Sequence, residues 1–401
     1  MAPEQSEAMS NVKREGSKVW VEGVPDMVVG DRWDMLLRGM EILLKHRGEK
    51  ISLNELMAYS GDAFNLCHAS HWQGTAYMCV PTDPCANIAK AYGYSWQWSI
   101  PEKEHAHIPN LEQKARGYTE ESLRRIRAEI DAGRPVLVGG VTDQGCGPWT
   151  VVVGYDETEP KLAHVGLGPG VSWSGIRGVA FPCNAEEGLF DHWNGRVRGT
   201  VSTGFLGGWR ANPAFVLGDK TSGPSDGERT VAVLKRAVEM FRAPAHRIGH
   251  WGGVVYYFGE QAYEQWARAL EGLDYPADLK KPQPKGAYDW YEMGNMDTQV
   301  DQIVRGRTAA AEFCERAAGV LPEVRAPLEA AAKFYSEEVA IAQSECAPFI
   351  SASSGADEPR VAWLSDRAKC EAGVAAVRRM LEKERAAIAE IEKALAVEAQ
   401  P

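Results

Sequence analysis

The chain has no CxxC pair, no basic excess, no histidine after His250, and no apolar run approaching a membrane span, which takes about 20 residues. Each absence removes a class of function. Without paired spacing, the 8 cysteines read as separate thiols rather than a disulfide framework or a zinc ribbon, and in a large chain lacking an export signal they are expected to be reduced. Met1–Lys18 is polar and charged, with no apolar export region. It is expected to be a disordered leader, and the expected location is cytoplasmic. The balance of Lys+Arg 44 against Asp+Glu 55 leaves a formal net charge of −11. Nucleic acid and anionic membranes are bound through dense Lys/Arg patches, so neither is an expected partner. Di-iron helical bundles need Glu-x-x-His pairs, which a histidine-free C-terminal region cannot supply. There is no internal repeat and no low-complexity tract.

What is present fits a soluble globular chain. The 401 residues are 44% hydrophobic and 25% charged, enough for two or three domains. The 13 tryptophans are many, and large aromatics either fill cores or wall clefts. Asp31–Lys45 places Trp33, Leu36, Leu37, Met40, Leu43 and Leu44 on one helical face, with Gly48 where the helix would stop. Ser52–Tyr59 reads as a short helix, Ser52 and Glu55 having the spacing of a capping box. Asp83–Tyr92 reads as another, with Pro84 at the first helical position and Gly93 at the end. Glu120–Ala132, Thr230–Arg242 and Glu260–Leu270 read as further helices. Val136–Val141 and Thr150–Val153, rich in β-branched residues, read as a strand pair. Ala163–Gly166, Gly178–Phe181, Thr200–Phe205 and Ala214–Leu217 are candidate strands.

Composition changes after Asp274–Ala287, a stretch holding Pro276, Pro282 and Pro284 that reads as a linker. Asp297–Gln343 and Trp363–Val397 are rich in Ala, Glu and Arg. Val377, Leu381, Ile388, Ile391 and Leu395 keep an apolar seam. Glu371, Glu382, Glu384, Glu390 and Glu392 alternate with Lys and Arg and read as a solvated face. Antiparallel helices are expected here, with oligomerisation through them a further possibility.

Four features, in order along the chain, carry a family resemblance. They are the helix ending Lys45-His46-Arg47-Gly48; the turn Tyr59-Ser60-Gly61-Asp62-Ala63-Phe64; Gly133-Arg134-Pro135-Val136 with Gly154-Tyr155-Asp156; and Phe215-Val216-Leu217-Gly218 followed by Ala262-Tyr263-Glu264-Gln265-Trp266. Over residues 20–270 the chain resembles the papain-like group that includes the C39 peptidases and the N-terminal domain of the butirosin biosynthesis acyltransferase. The resemblance implies an α+β papain-like domain over residues 19–273; the prolines and the change in composition after it give a linker over 274–287 and a helical domain over 288–401. That family's chemistry needs a thiol acidified at a helix N-terminus, a histidine opening the second central strand, and an Asp or Asn orienting it. Here the matching places read Gly30-Asp31-Arg32-Trp33, Gly147-Pro148-Trp149 and Val165-Gly166-Leu167-Gly168, and all three groups are missing.

Other residues could carry chemistry. Cys67-His68-Ala69-Ser70-His71 is the densest cluster. Cys67 is the candidate nucleophile, His71 the candidate base and His68 a substrate-binding residue, against a bland reading in which Cys67 is a small buried apolar residue and the histidines pack. Neighbours i and i+1 diverge on a helix, so Cys67 and His68 make a poor pair with each other. With His105 and His107 the cluster matches no zinc signature; no metal and no cofactor are expected. Cys146, on the turn Asp143–Gly147, Trp72, Trp149, and His250-Trp251 with Gly252 and Gly253 are further candidate substrate-binding residues. Trp149 would fill the place of the absent histidine. Asp191 and His192 are adjacent without a built site. The expected function is a papain-like-fold protein acting on or binding a small molecule or an acyl or amide group, in bacterial secondary or amide metabolism. If active it would be a cysteine-dependent amide hydrolase or acyltransferase. The alternative is a catalytically inactive ligand- or peptide-binding module.

Overall fold

Glycine, proline and small polar residues set the ends of the helices in the computed structural model. It describes residues 11–26, 35–69, 82–99, 111–139, 149–159, 161–165, 172–175, 214–248, 254–272, 291–350 and 358–398. In chain order, β1 (Val12–Glu15) and β2 (Lys18–Val21) precede α1 (Met35–His46), α2 (Leu53–Ser60) and a 3-10 turn, Asp62–Phe64. Then come β3 (Cys67–Ala69), α3 (Pro84–Ala91), β4 (Tyr94–Trp98), α4 (Leu111–Asp131), β5 (Val136–Gly139), β6 (Trp149–Asp156), β7 (Lys161–Val165) and β8 (Ser172–Gly175). β9 (Ala214–Lys220), α5 (Asp226–Phe241), β10 (His246–Ile248), β11 (Val254–Phe258) and α6 (Gly259–Gly272) follow. The C-terminal helices are α7 (Tyr291–Val320), α8 (Arg325–Glu345), α9 (Glu358–Leu364) and α10 (Arg367–Glu398). The architecture is α+β, with antiparallel sheet and a helical C-terminal region.

The chain forms two compact units. The sheet unit takes Met1–Leu56 and Cys85–Gly223; the helical unit takes Met57–Pro84 and Pro224–Pro401. Both are therefore discontinuous in sequence. The stretch 274–287, read as a linker, lies outside the described residues, as do the candidate strands at 178–181 and 200–205.

The sheet unit is ordered β1-β2-β6-β5-β9-β4, with β7 on β6 and β8 on β7. The β5–β6 register pairs Val136 with Val152 and Gly139 with Trp149. Every residue of β6 is buried, which is why this strand reads as a continuous apolar run rather than an alternation. Val136, Val138 and Val152 pack with Ile126 and Ile130 of α4 and with Val19 and Val21 of β2. The alternate face carries Leu137, and Gly39 of α1 sits on it so closely that a Cβ would come 2.3 Å from Leu137 Cδ1. The sheet is thus covered on both faces by helices.

The reading of Met1–Lys18 as a disordered leader is corrected from Val12 onward, while residues 1–10 lie outside the described residues. Val12 pairs with Val21 across a hairpin turned by Gly16, and Val19 and Val21 are buried. Alternating valines supply the inward face that a polarity scan averages away.

In the helical unit, β10-β11-β3 form a three-stranded antiparallel sheet, with Phe258 opposite Cys67. β11 passes directly into α6 at Gly259, whose φ of 50° is the left-handed region that favours glycine. α5 begins on a complete capping box, Ser225 with Glu228. The segment Asp297–Gln343, read as one helical region, is two helices packed on each other and broken by a second 3-10 turn at Pro322–Val324. Proline lacks the N–H that a continuing helix would need. α8 also packs on α10, and α10 on α6. Among the described residues no helix is long and apolar enough to cross a membrane.

Candidate functional site

β6 opens on Trp149, the place where the papain-like resemblance expects a histidine. The indole is 6% exposed and its ring lies 6.0 Å from that of Trp98 at 56°. Trp98 in turn meets Phe215 edge-on at 5.0 Å, an arrangement the aromatic quadrupole favours. Trp96, two residues earlier on β4 and so on the same face, is 41% exposed. The aromatic group therefore runs from the strand β6 to solvent within one sheet. An indole nitrogen donates a hydrogen bond but has no basic lone pair. Trp149 cannot take a proton from a thiol.

Cys67 and His68 belong to the helical unit. They sit on β3, an extended strand rather than a helix. Successive strand residues point to opposite faces, so the two side chains do not form a thiol–imidazole couple with each other. Both are buried, as is the whole run Asp62–Cys67 before them. Buried irregular backbone must find partners, and α7 supplies them from one face. Gln302 Oε1 accepts from the Cys67 N–H at 3.4 Å. Arg307 Nη1 donates to the carbonyls of Ala63 and Asn65 at 2.9 and 3.2 Å. Gly306 lies against the same loop, where a Cβ would come 3.1 Å from Ala63 O. Gln299 Nε2 is 2.5 Å from His68 Nδ1. Burial pulls the His68 imidazole down to about 4, against the smaller upward pull of the Gln299 bond. The ring is neutral at neutral pH.

One turn beyond Gln302, α7 contributes the centre of a fully buried ionic cluster. Arg307, Glu338, Glu384, Tyr263 and Tyr335 are all 0% exposed. Arg307 Nε donates to Glu384 Oε2 at 2.6 Å and lies 3.6 Å from Glu338 Oε2. Arg307 Nη2 donates to the Tyr263 hydroxyl at 3.1 Å. That hydroxyl bonds Glu338 Oε1 and lies 3.1 Å from Glu384 Oε2. The guanidinium carbon sits 6.0 Å from the Tyr335 ring centre. Burial, followed by the charge of Glu384, raises the Glu338 carboxyl well above its ordinary value. Burial also raises Tyr263 and Tyr335 far above theirs.

Glu384 corrects the reading of the terminal carboxylates as one solvated face. It belongs to the α10 seam, Val377-Leu381-Glu384-Ile388-Ile391, all buried. Arg307 falls in the same way within Val300-Ile303-Arg307-Ala310-Cys314, and Glu338 within Leu328-Ala331-Tyr335-Glu338-Ala342. Each charge occupies a position that the surrounding helical spacing reserves for apolar side chains. That misfit was the signal available in the sequence for all three.

Of the other candidate residues, His71, Trp72, Cys146, His250 and Trp251 lie outside the described residues, as do His105, His107, Asp191 and His192. Among the described residues no group of three or more His, Cys, Asp or Glu side chains is placed to hold a metal ion. Cys314, Cys346 and Cys370 are buried and form no disulfide; burial raises the thiol of Cys346 to about 12. No protein-family model matches the chain, and comparison with curated proteins gives no match.

Proposed function

We propose that the chain is a catalytically inactive papain-like module that binds a small molecule carrying an acyl or amide group. The observation behind this reading is Trp149. The residue opening β6 is an indole packed on Trp98, where a papain-like enzyme would need an imidazole able to take a proton. The neutral, buried state of His68 and its divergence from Cys67 along β3 point the same way. The ligand face in this reading is the aromatic run Trp96, Trp98 and Trp149. Rigid aromatic rings provide apolar contact area at low entropic cost for a flat acyl or amide group.

The test is a titration of the whole chain with a panel of N-acyl amino-acid amides, following tryptophan fluorescence and, by mass spectrometry, the integrity of each compound. Saturable quenching without turnover, lost in Trp98→Ala, is the expected result. Hydrolysis or acyl transfer that disappears in Cys67→Ala would replace this reading with the catalytic one. Absence of both quenching and turnover across the panel would end it.

A further inference from the structure

The helical unit buries two carboxyl groups against one guanidinium. Glu338 and Glu384 are both 0% exposed, and among the described residues Arg307 is the cation that reaches them. Two ionised carboxylates beside one cation would leave a net negative charge inside the helix packing. Proteins do not keep an uncompensated charge in such a place; the group takes up a proton instead.

The hydrogens give the same answer. Glu384 Oε2 receives the Arg307 Nε hydrogen. Glu338 Oε1 receives the single hydroxyl hydrogen of Tyr263. Glu338 Oε2 and Glu384 Oε1 receive none, although both are fully buried. A carboxylate can only accept, whereas a carboxylic acid carries one donor. One added proton therefore supplies the missing donor and cancels the excess charge together.

We propose that Glu338 and Glu384 form a single-proton binding site at the centre of the helical unit, and that emptying it loosens the packing of α7, α8 and α10. The proton resides on Glu338, because Glu384 makes the closer ion pair with Arg307. The groups facing the pair come from each helix packed around it: Tyr263 from α6, Arg307 and Cys314 from α7, Tyr335 from α8. None of them offers a second cation. The neutral carboxyl is favoured first by its burial and next by the Glu384 charge, with Arg307 opposing.

The sign follows from linkage. The folded chain keeps a proton that the unfolded chain gives up above the ordinary glutamate value of about 4.3. Stability from this site is full below that value, and is lost as pH rises toward the raised folded-state value. Urea unfolding of the full chain, followed by helical circular dichroism, is measured at pH 7 and pH 8.5 for wild type and Glu338→Gln. His68 contributes little in this window, since a released imidazole is mostly neutral there, and it contributes equally to both chains. The wild-type unfolding constant is expected to rise about tenfold per pH unit relative to Glu338→Gln, which carries the neutral group permanently. Parallel pH dependences would overturn the proposal. Should Glu338→Gln not fold, infrared spectroscopy of wild type at pH 7.5 decides. A protonated-carboxyl band present when folded and lost in urea supports the site; its absence in the folded protein refutes it.

Discussion

Replacing Arg307 by methionine keeps most of the side-chain stem and removes the only charge that balances Glu384 among the described residues. It deletes the 2.6 Å bond to Glu384 Oε2 and the bonds to the Ala63 and Asn65 carbonyls. Removing one partner of a buried pair costs about 3–5 kcal/mol. A second route gives the same size. The stranded carboxylate can escape by taking up a proton, and for a carboxyl of ordinary pKa this costs about 3.7 kcal/mol at pH 7. The lost bonds to the Ala63 and Asn65 carbonyls add about 1 kcal/mol each. Arg307→Met is therefore expected to lose about 6 kcal/mol at pH 7. At pH 5 the protonation part shrinks to about 1 kcal/mol, so the loss falls to about 3 kcal/mol. Urea denaturation at the two pH values, with wild type alongside, reads both numbers. Arg307→Met/Glu384→Met should recover much of the loss, because two apolar side chains of similar volume replace a broken pair. A loss below about 1 kcal/mol at pH 7, or one that is equal at the two pH values, would refute the reasoning from burial to charge pairing.

Three further expectations rest on other parts of the fold. The His68 ring should titrate in NMR spectra near pH 4. Because its neutral form is favoured in the folded state, this support is full above about 6.5 and is lost as pH falls toward 4, amounting to about 3 kcal/mol that His68→Leu would not show; a midpoint at 6 or above contradicts its burial. Gly259→Ala combines a φ of 50° with a Cβ 2.1 Å from the Phe241 carbonyl oxygen. It should lower stability in thermal unfolding by well over the 1–2 kcal/mol of left-handed strain alone, whereas Gly16→Ala, with nothing within 4 Å, should show only that strain. Ser225→Ala removes the acceptor of the α5 capping box and should cost about 1 kcal/mol of stability in the same assay; no change would mean that Glu228 alone holds the helix start.

Short-range signals were readable where one residue type decides the local geometry. Ser52 accepts the Glu55 N–H at 3.2 Å, Gly48 and Gly93 take positive φ just beyond α1 and α3, and the Val136 and Thr150 runs pair as a hairpin. The first turn of α5 was missed because its cap lies upstream of the apolar pattern, at Ser225. The β1–β2 hairpin was missed because β1 holds only Val12 before the exposed Arg14 and Glu15, and the inward residues of β2 are just Val19 and Val21. The ionic cluster was illegible for a different reason. Arg307, Glu338 and Glu384 each interrupt the apolar seam of its own helix, which marks them singly, but only the packing of three helices brings them to one point. Trp149 stood out from the sequence by its place. Its packing on Trp98, which in turn meets Phe215, needed the β6-β5-β9-β4 strand order.

The clamp that α7 places on the Asp62–His68 segment has a consequence for synthesis. Ala63 leaves the ribosome 244 residues before the Arg307 that will hold its carbonyl. At about 5–20 residues per second, that interval is roughly 12–50 s. Throughout it the Phe64-Asn65-Leu66-Cys67 stretch has none of its α7 partners. A nascent chain halted before residue 299 should therefore expose this apolar segment to chaperones, and release it from them once α7 has emerged.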